Sequence, residues 1–516
     1  MKRSITVLVF ALVGAMFSMA APASAVPATL VVDDNLACPA AAYSTISAAV
    51  TAATNGDTIQ VCAGTYNEQV RVTKALSILG AGAATTIIDG GNAALPFVGQ
   101  VSIQTDAGNV TFSGFTIRHA GTSSGVRAAL FSKVTVAGSG NDTLIENNVI
   151  EGSGAAGGSD YGYWTDHSFD DLTFQDNTIS DTDFNAVLIE THAGSVVVDD
   201  NQVEAGITGS SAIFDMAYIE DITTPHTFTN NTIDAATGGG ISVNGAFGGA
   251  GVGAYTDVDV SDNDISNLGG TRIGISLRDG ANAPGTAGQI SNATVSDNQV
   301  SGSDAAGSKA IRLGGLVSNA TVTGNTIQNV DRAFSGELTS GVGPTGTLLN
   351  DNSFSSDLSG VFWQGTEVLD ATENWWGAAS GPLGSTAGPP ASWGVGTGDA
   401  VSAEVDFFPW YTNSGMTTLR ACDFTATPGV RLLGTKNADV LCGSASGDTI
   451  NGKGGKDLIL GRGGADALKG GPGDDALIGE AADDRLAGND GFDSLQGRAG
   501  TDKCLVGFGG GQQSSC

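Results

Sequence analysis

Eight aspartates stand nine residues apart without a slip in phase: Asp439, Asp448, Asp457, Asp466, Asp475, Asp484, Asp493 and Asp502. Two places after each comes Leu441, Ile450, Ile459, Leu468, Leu477, Leu486, Leu495 or Cys504, and each nine-residue unit opens on glycine. Asn or Gly fills the fourth place in six of the eight units, at Asn437, Gly455, Gly464, Gly473, Gly491 and Gly500. The spacing defines a chemistry. A short strand supplies one inward aliphatic, and a glycine-rich loop can take φ > 0 and turn its carbonyls inward. One carboxylate per loop then joins those carbonyls as hard oxygen donors, the ligand set that Ca²⁺ selects.

The pattern resembles the hemolysin-type (RTX) repeat G-G-x-G-x-D-x-U-x, whose units form a Ca²⁺-binding parallel β-roll. The resemblance covers residues 434–505 and implies that the eight aspartates are metal ligands, with Ca²⁺ as the cofactor. In that family each ion lies between loops two units apart, so eight units imply at most about six sites. The units GRGGADALK and GGPGDDALI follow the consensus closely. GSASGDTIN and GEAADDRLA lack the central glycine, so weaker loops are expected there. Stacked aspartates without a cation would repel one another, so the roll should fold only with Ca²⁺, which is scarce inside cells and plentiful outside.

The N-terminus agrees with export. Lys2 and Arg3 precede an apolar run at 5–20, and Ala23-Ser24-Ala25 reads as a cleavage site, so residues 1–25 are expected to be a signal peptide. The apolar run is short for a membrane span and no later segment replaces it, so a secreted protein without a membrane span is expected. Six cysteines form three local pairs, expected as Cys38 with Cys62, Cys422 with Cys442 and Cys504 with Cys516, although six allow 15 connectivities. None has zinc-site spacing. The formal charge is −32, and −34 once Lys2 and Arg3 are removed (20 basic against 54 acidic residues). Residues 434–505 contribute only −4, with 12 acidic and 8 basic side chains. Such acidity argues against nucleic acid or an anionic membrane as partner. Calcium ions and polysaccharide remain as candidates, and an acidic polysaccharide would need local cations or bridging Ca²⁺.

A second, looser repeat fills residues 26–410. The tag Asn-x-aliphatic recurs at Asn148, Asn177, Asn201, Asn231, Asn263, Asn298, Asn325 and Asn352, with an aromatic copy at Asn374. Apolar residues stand three before and two after most of them, as at Ile145 and Ile150 or Phe174 and Ile179. Alternation into an asparagine and back reads as strand, tight turn, strand. A repeat of this length built of short strands predicts a parallel β-helix, with the asparagines stacked as an internal ladder and each free to take the left-handed turn conformation. Upstream, Ile46, Ala49, Val50 and Ala53 form a helical stripe suited to capping the open end, and first strands are expected at 58–61, 70–72 and 76–79.

This opening, with Gly64, Thr65, Tyr66 and Glu68 in a G-T-Y-x-E stretch, resembles pectinesterase-like and NosD-like right-handed β-helices. The esterase signatures QDTL, DFIFG and LGRPW are absent, so the resemblance implies the fold and no esterase activity. The ENWWGAASGP stretch resembles a closing coil, with Trp375 and Trp376 expected over the core. The fold class is therefore all-β: a right-handed parallel β-helix at 26–410, a linker at 411–433, a calcium-binding parallel β-roll at 434–505 and a tail at 506–516.

A second strand column ends in Glu190, Asn244, Arg278, Arg312 and Gln364, which alternation sends outward. Asp166 precedes Glu190, and Asp215 is a further candidate for that face. Stacked carboxylates can hold a cation or serve as an acid/base pair, each raising the other's pKa, and arginine can hold a uronate carboxylate. Alginate C5-epimerases combine a β-helix with RTX repeats, and Tyr161, Gly162, Asp166 and His167 resemble their Y-G-F-D-P-H motif without its proline and with altered spacing. Asp166, Glu190, Arg278 and Arg312 are thus the candidate catalytic set. His119, His192 and His226 have no metal spacing and are read as loop or turn residues. The expected function is an exported calcium-binding protein whose β-helix meets carbohydrate or a cell surface, with a lyase or epimerase acting on acidic glycans as the alternative.

Overall fold

In the computed structural model the chain is described from residue 26 to 516, apart from residues 37, 91–98, 105–107, 119–125, 136–141, 153–158, 169, 205–210, 218–220, 237, 246–252, 280–288, 304–305, 340, 356–358, 385–396 and 403. The signal-peptide expectation at 1–25 and the reading of His119 lie outside the described residues. The remainder is a parallel β-helix followed by a parallel β-roll, with one helix, Ile46–Ala52, at its N-terminal end.

Each coil of the β-helix visits three sheets in turn. The coil Asp142–Glu146, Val149–Glu151, Ser159–Asp166 is followed by Asp171–Gln175, Thr178–Ser180, Val187–Glu190, and every strand pairs in parallel with its counterpart one coil on. Among the described residues these sheets hold 14, 11 and 13 strands and are called here the first, second and third, with a small three-stranded sheet beside them. Parallel pairing in register brings equivalent residues within ~4.8 Å of each other in long columns. The inner columns are aliphatic and aromatic, and Ile145, Phe174, Val198, Phe228, Val260, Val295, Val322 and Leu349 are all fully buried in one.

The turn between the first and second sheets carries the asparagine ladder. Asn148 Nδ2 donates to Asn177 Oδ1 at 3.1 Å, and the same bond repeats through Asn201, Asn231, Asn263, Asn298, Asn325 and Asn352 to Asn374. Each Oδ1 also takes the backbone N–H of the asparagine before it, as from Asn201 N to Asn231 Oδ1 at 3.2 Å. Each Nδ2 reaches back to a carbonyl of an earlier coil as well, as from Asn231 to Val198 O at 2.9 Å. The left-handed backbone belongs not to the ladder asparagines, as expected, but to the residue before each, at Asn147, Asp176, Asp200, Asn230, Asp262, Asp297, Gly324, Asp351 and Glu373. The reversal is made one step early so that the asparagine side chain can point inward along the stack.

The helix at the N-terminal end closes the stack with Ile46, Ala49, Val50 and Ala53 buried. Glu68 of the G-T-Y-x-E stretch accepts from the N–H groups of Ile46 and Ser47 at 2.7 and 3.0 Å, and Lys74 Nζ donates to the carbonyls of Val50, Thr51 and Ala53. Opposite charges therefore satisfy the two ends of a helix too short to hold itself. At the far end Trp376 is fully buried against Phe354, their rings 5.2 Å apart. It does not close the stack, because strands at Pro382–Gly384, Gly398–Val401 and Val405–Asp406 follow it.

The roll is built of two sheets of six and five strands. Its interior is a column of Leu441, Ile450, Ile459, Leu468, Leu477, Leu486 and Leu495. Both sheets extend beyond 434–505, opening with Phe424–Thr425 and Leu432–Leu433 and closing with Gly511–Ser514, because backbone pairing propagates without the aspartate. The three disulfides are Cys38–Cys62, Cys422–Cys442 and Cys504–Cys516.

One sheet of the roll is apolar on both faces. Val440, Cys442, Leu458, Leu460, Ala476 and Ile478 flank the inward residues of alternate units and join the same core as Val405, Phe407 and Trp410 of the last β-helix coils. Gln496 Nε2 donates to Glu404 Oε2 at 2.9 Å, and Arg498 Nη1 lies 3.3 Å from Asp406 Oδ2. The intervening units present Thr449, Lys469, Arg485 and Lys503 to water instead. The roll thus seals the C-terminal end of the β-helix with every second unit.

Two outcomes follow. Asn231→Ala strands the buried backbone N–H of Asn201 and removes one of the acceptors of its Nδ2, and should lower stability by about 2–3 kcal/mol in chemical denaturation, against little change for the exposed Gln202→Ala. Leu460→Asp places a charge in the sealed contact. With calcium present it should split one thermal transition into two, and a single transition at the wild-type midpoint would show the two parts to be uncoupled.

Candidate functional site

The predicted calcium ligands form two columns on the flanks of the roll. Asp439, Asp457, Asp475 and Asp493 follow one another on one flank, and Asp448, Asp466, Asp484 and Asp502 on the other. In each column the backbone N–H of one aspartate donates to Oδ1 of the next, at 2.6–3.0 Å. That bond fixes Oδ1 and leaves Oδ2 aimed at the loop. The Oδ2 atoms of Asp457, Asp466, Asp475, Asp484, Asp493 and Asp502 are buried and accept no hydrogen bond. Burial pushes the pKa of Asp457 up to about 6 and those of Asp466 and Asp475 to about 7, and neighbouring aspartates add to the rise. Buried carboxylate oxygens without a donor are costly unless a cation meets them. Six orphaned hard oxygens, one for each neighbouring pair within the columns, fit Ca²⁺.

Loop geometry supports the same fit. In most units the second and fourth residues have positive φ, as at Lys453 and Gly455, Arg462 and Gly464, and Gly471 and Gly473. The unit GEAADDRLA keeps that shape without glycine, with Glu480 at φ 75° and Ala482 at 83°. GSASGDTIN does not. Ser446 N donates instead to Ser444 Oγ, a turn that replaces the left-handed pair.

The third sheet places the other candidates. Asp166 pairs in register with Glu190, so these two carboxylates are neighbours as expected. Asp166 Oδ2 holds Lys133 Nζ at 2.7 Å, and its Oδ1 meets His167 Nδ1. Glu190 Oε2 accepts from Trp164 Nε1 at 3.0 Å. One ligating atom each of Asp166, His167 and Glu190 lies within 4.8 Å of the others. The expectation that the carboxylates raise each other's pKa does not hold for Asp166. Burial acts upward, but the hydrogen bonds and charges of Lys133 and His167 outweigh it and leave Asp166 below its ordinary value. Phe131, Tyr161, Leu188 and Met216 form a separate apolar cluster beside this pair, flanked by Trp164 and Phe214.

Asp215 is not on that face. Glu190 pairs with Met216, so alternation turns Asp215 inward, where it is fully buried between His226 Nδ1 at 2.7 Å and the Tyr255 hydroxyl at 2.8 Å. His192 lies in a loop as read, between the strands Val187–Glu190 and Val196–Asp199, whereas His226 does not: it opens the strand His226–Thr229. Both are fully buried, and His192 Nε2 contacts the Asp170 carbonyl. Polar core residues look like turn residues in a sequence whose coils vary in length.

Arg278 and Arg312 lie further along the sheet. The column from Glu190 runs through Met216 and Asn244 to Arg278, three coil steps, or roughly 14 Å. Asn244 was expected outward but is fully buried, its Oδ1 accepting from Arg278 Nε at 3.2 Å. Arg312 pairs with Ser276, and its Nε lies 2.9 Å from Glu337 Oε2. The four residues of the candidate set therefore form two groups, one acidic and one basic. Lys133, Trp164, Lys309, Arg332 and Glu337 complete those groups and were not singled out from the sequence. The clustering of cations near residue 300 was the signal available for two of them, Lys309 and Arg332.

These features define a parallel β-helix bearing a C-terminal RTX roll. Residues 443–477 and 478–512 match the RTX calcium-binding nonapeptide repeat (4 copies). No curated protein matches the chain. Among solved structures it is similar to the A-module of mannuronan C-5 epimerase AlgE6 of Azotobacter vinelandii, at 13% identity over 70% of this chain and 93% of that one, with a TM-score of 0.37. The catalytic unit of an α-1,3-glucanase from Streptomyces thermodiastaticus is similar at 15% identity over 73% and 67%, TM-score 0.35. Carrot pectin methylesterase is similar at 12% identity over 67% and 86%, TM-score 0.22. Likeness at these levels leaves the chemistry to this chain's own residues.

Ala482 supplies a direct check on the loops. Ala482→Gly should relieve the left-handed strain and, net of the freedom glycine gains in the unfolded chain, stabilise the roll by roughly 0.5–1 kcal/mol. The readout is a calcium-refolding midpoint shifted to lower ion concentration.

Proposed function

We propose that the protein is exported and acts outside the cell as a calcium-loaded, carbohydrate- or cell-surface-binding β-helix. The observation that carries the reading is the row of six buried Asp Oδ2 atoms in the roll that accept no hydrogen bond. Ca²⁺ would be held there by Asp439 through Asp502 together with loop carbonyls, and would supply the positive charge that lets the two columns pack. Because those loops exist only in the folded roll, ion binding and folding are one equilibrium. Three disulfides and the N-terminal leader sequence agree with an oxidising, calcium-rich location.

The third sheet's outer face is the proposed contact surface, where Trp164 stands beside Asp166 and Glu190. A binding role suits it better than a lyase or epimerase. Acid–base catalysis needs its groups within hydrogen-bond reach of one reacting proton. Here Lys133 holds Asp166 ionised, and the arginines stand several coils away.

Calorimetric titration of the calcium-stripped full-length protein tests the reading. About six ions should bind, with a simultaneous gain of β-signal in circular dichroism. Asp475→Asn, which removes a carboxylate shared by two neighbouring pairs, should lower the count by about two. Unchanged circular dichroism and no heat at millimolar Ca²⁺ would refute it.

A further inference from the structure

Between residues 26 and 410 there are ten Lys and Arg residues, and five of them are Arg272, Arg278, Lys309, Arg312 and Arg332. None lies between 134 and 271. All five fall on, or one residue before, three consecutive strands of the third sheet: Ile273–Arg278, Lys309–Gly314 and Arg332–Glu337. The register sets Lys309 beside Arg332, Ser276 beside Arg312 and Arg278 beside Gly314. A Cβ at Gly314 would come 3.2 Å from Arg278 Cβ and 3.8 Å from Arg312 Nε, so the absent side chain keeps the space between the two arginines open.

The charges here are not balanced locally. Glu337 serves three cations: Lys309, Arg312 at 2.9 Å and Arg332 at 3.8 Å. Arg332 also lies over the Phe362 ring, 4.2 Å from its centroid. Arg278 has Asn244 as its hydrogen-bond partner and, among the described residues, no carboxylate within ion-pair distance. Burial and the neighbouring Arg312 charge both lower its pKa. The adjacent Asp279 carboxyl is buried, and burial raises its pKa. Beside these groups opens a cleft of about 250 Å³ lined by Ser211, Ser242, Ser276, Arg272, Arg278 and Arg312. Arg278, half-buried beside the like charge of Arg312 and facing hydroxyls rather than a carboxylate, is incompletely compensated until an anion enters.

We propose that this cleft is a subsite for an anionic glycan, with Arg278 and Arg312 gripping a carboxylate or sulfate ester while the serine hydroxyls meet neighbouring sugar oxygens. The inference rests on the carbohydrate-surface reading above and names the class of glycan. Guanidinium matches both oxyanions bidentately. The cations repeat over three coils, about 10 Å, so the ligand is a chain laid across the strands with acidic groups on successive units. The charge is supplied by the protein itself, so no bridging Ca²⁺ is needed at this place. A long nucleic acid would extend past the cleft onto an acidic surface that repels it.

The test uses full-length protein with saturating Ca²⁺ and calorimetry against three probes: oligouronates, sulfated oligosaccharides and neutral oligosaccharides of equal length. At least one anionic series should bind, the neutral series should not, and affinity should fall with added salt. Arg278→Gln with Arg312→Gln should weaken binding ten-fold or more, and Arg278→Lys, which keeps the charge without the fork, should weaken it less. Arg118→Gln, on the second sheet and paired with Glu151, should leave it unchanged. Circular dichroism verifies the fold of each variant. Neutral glycans bound equally by wild type and double variant would overturn the anionic subsite while leaving the carbohydrate surface standing. Binding of none of the three would overturn both. An oligonucleotide that displaces the bound glycan more effectively than the glycan itself would also overturn the assignment.

Discussion

Every part of this protein depends on parallel strands stacked in register, so that each side chain sits about 4.8 Å from its counterpart one coil away. The constraint is indifferent to chemistry, and what it demands differs by residue type. An aliphatic column becomes a core. An amide column is self-complementary, because each carboxamide has both a donor and an acceptor, and the ladder from Asn148 to Asn374 consumes both. A carboxylate column has acceptors alone. In the roll the backbone N–H groups satisfy one oxygen of each aspartate from Asp457 to Asp502 and the other is left over. The nine-residue period therefore implies a cation as directly as the asparagine period implies none.

The same constraint explains how two solenoids can share one core. A stack has two open ends, and each presents apolar residues with no next coil. At the N-terminal end a short helix covers them, held by Glu68 and Lys74 rather than by its own length. At the C-terminal end the roll lies against them with the outer residues of alternate units. The surface that hides the last coil is thus made of strands joined by the aspartate-bearing loops. The β-helix end and the roll meet through Val440, Leu458, Leu460 and Ile478.

On the third sheet, register sorts the exposed charges into two neighbourhoods. Lys133 neutralises Asp166 at one end, and Glu337 is outnumbered by cations at the other. Between them lie Met216 and the buried Asn244, with no charge in that column. A surface with this division suits an extended ligand read at several points more than a small substrate gripped at one.

Much of this was legible in the sequence because repeats write their geometry into their spacing. The interval of nine identifies strand, loop and ligand in every unit, the Asn-x-aliphatic tag identifies the turn, and the neighbouring cysteines announced the three disulfides. That Glu190 faces outward on its strand followed from alternation, and the register then set Asp166 beside it. What tertiary structure decided lies where coil length varies or where two elements meet. Asp215 and His226 are buried partners because the loop lengths on either side of them place Met216, not Asp215, opposite Glu190. The left-handed residue precedes each ladder asparagine because the amide must face its neighbour along the stack. Docking of the roll was invisible because an outward-facing leucine has the same local pattern whether it meets water or another domain. Local sequence determines which face a side chain takes; only the assembled stack determines what stands opposite it.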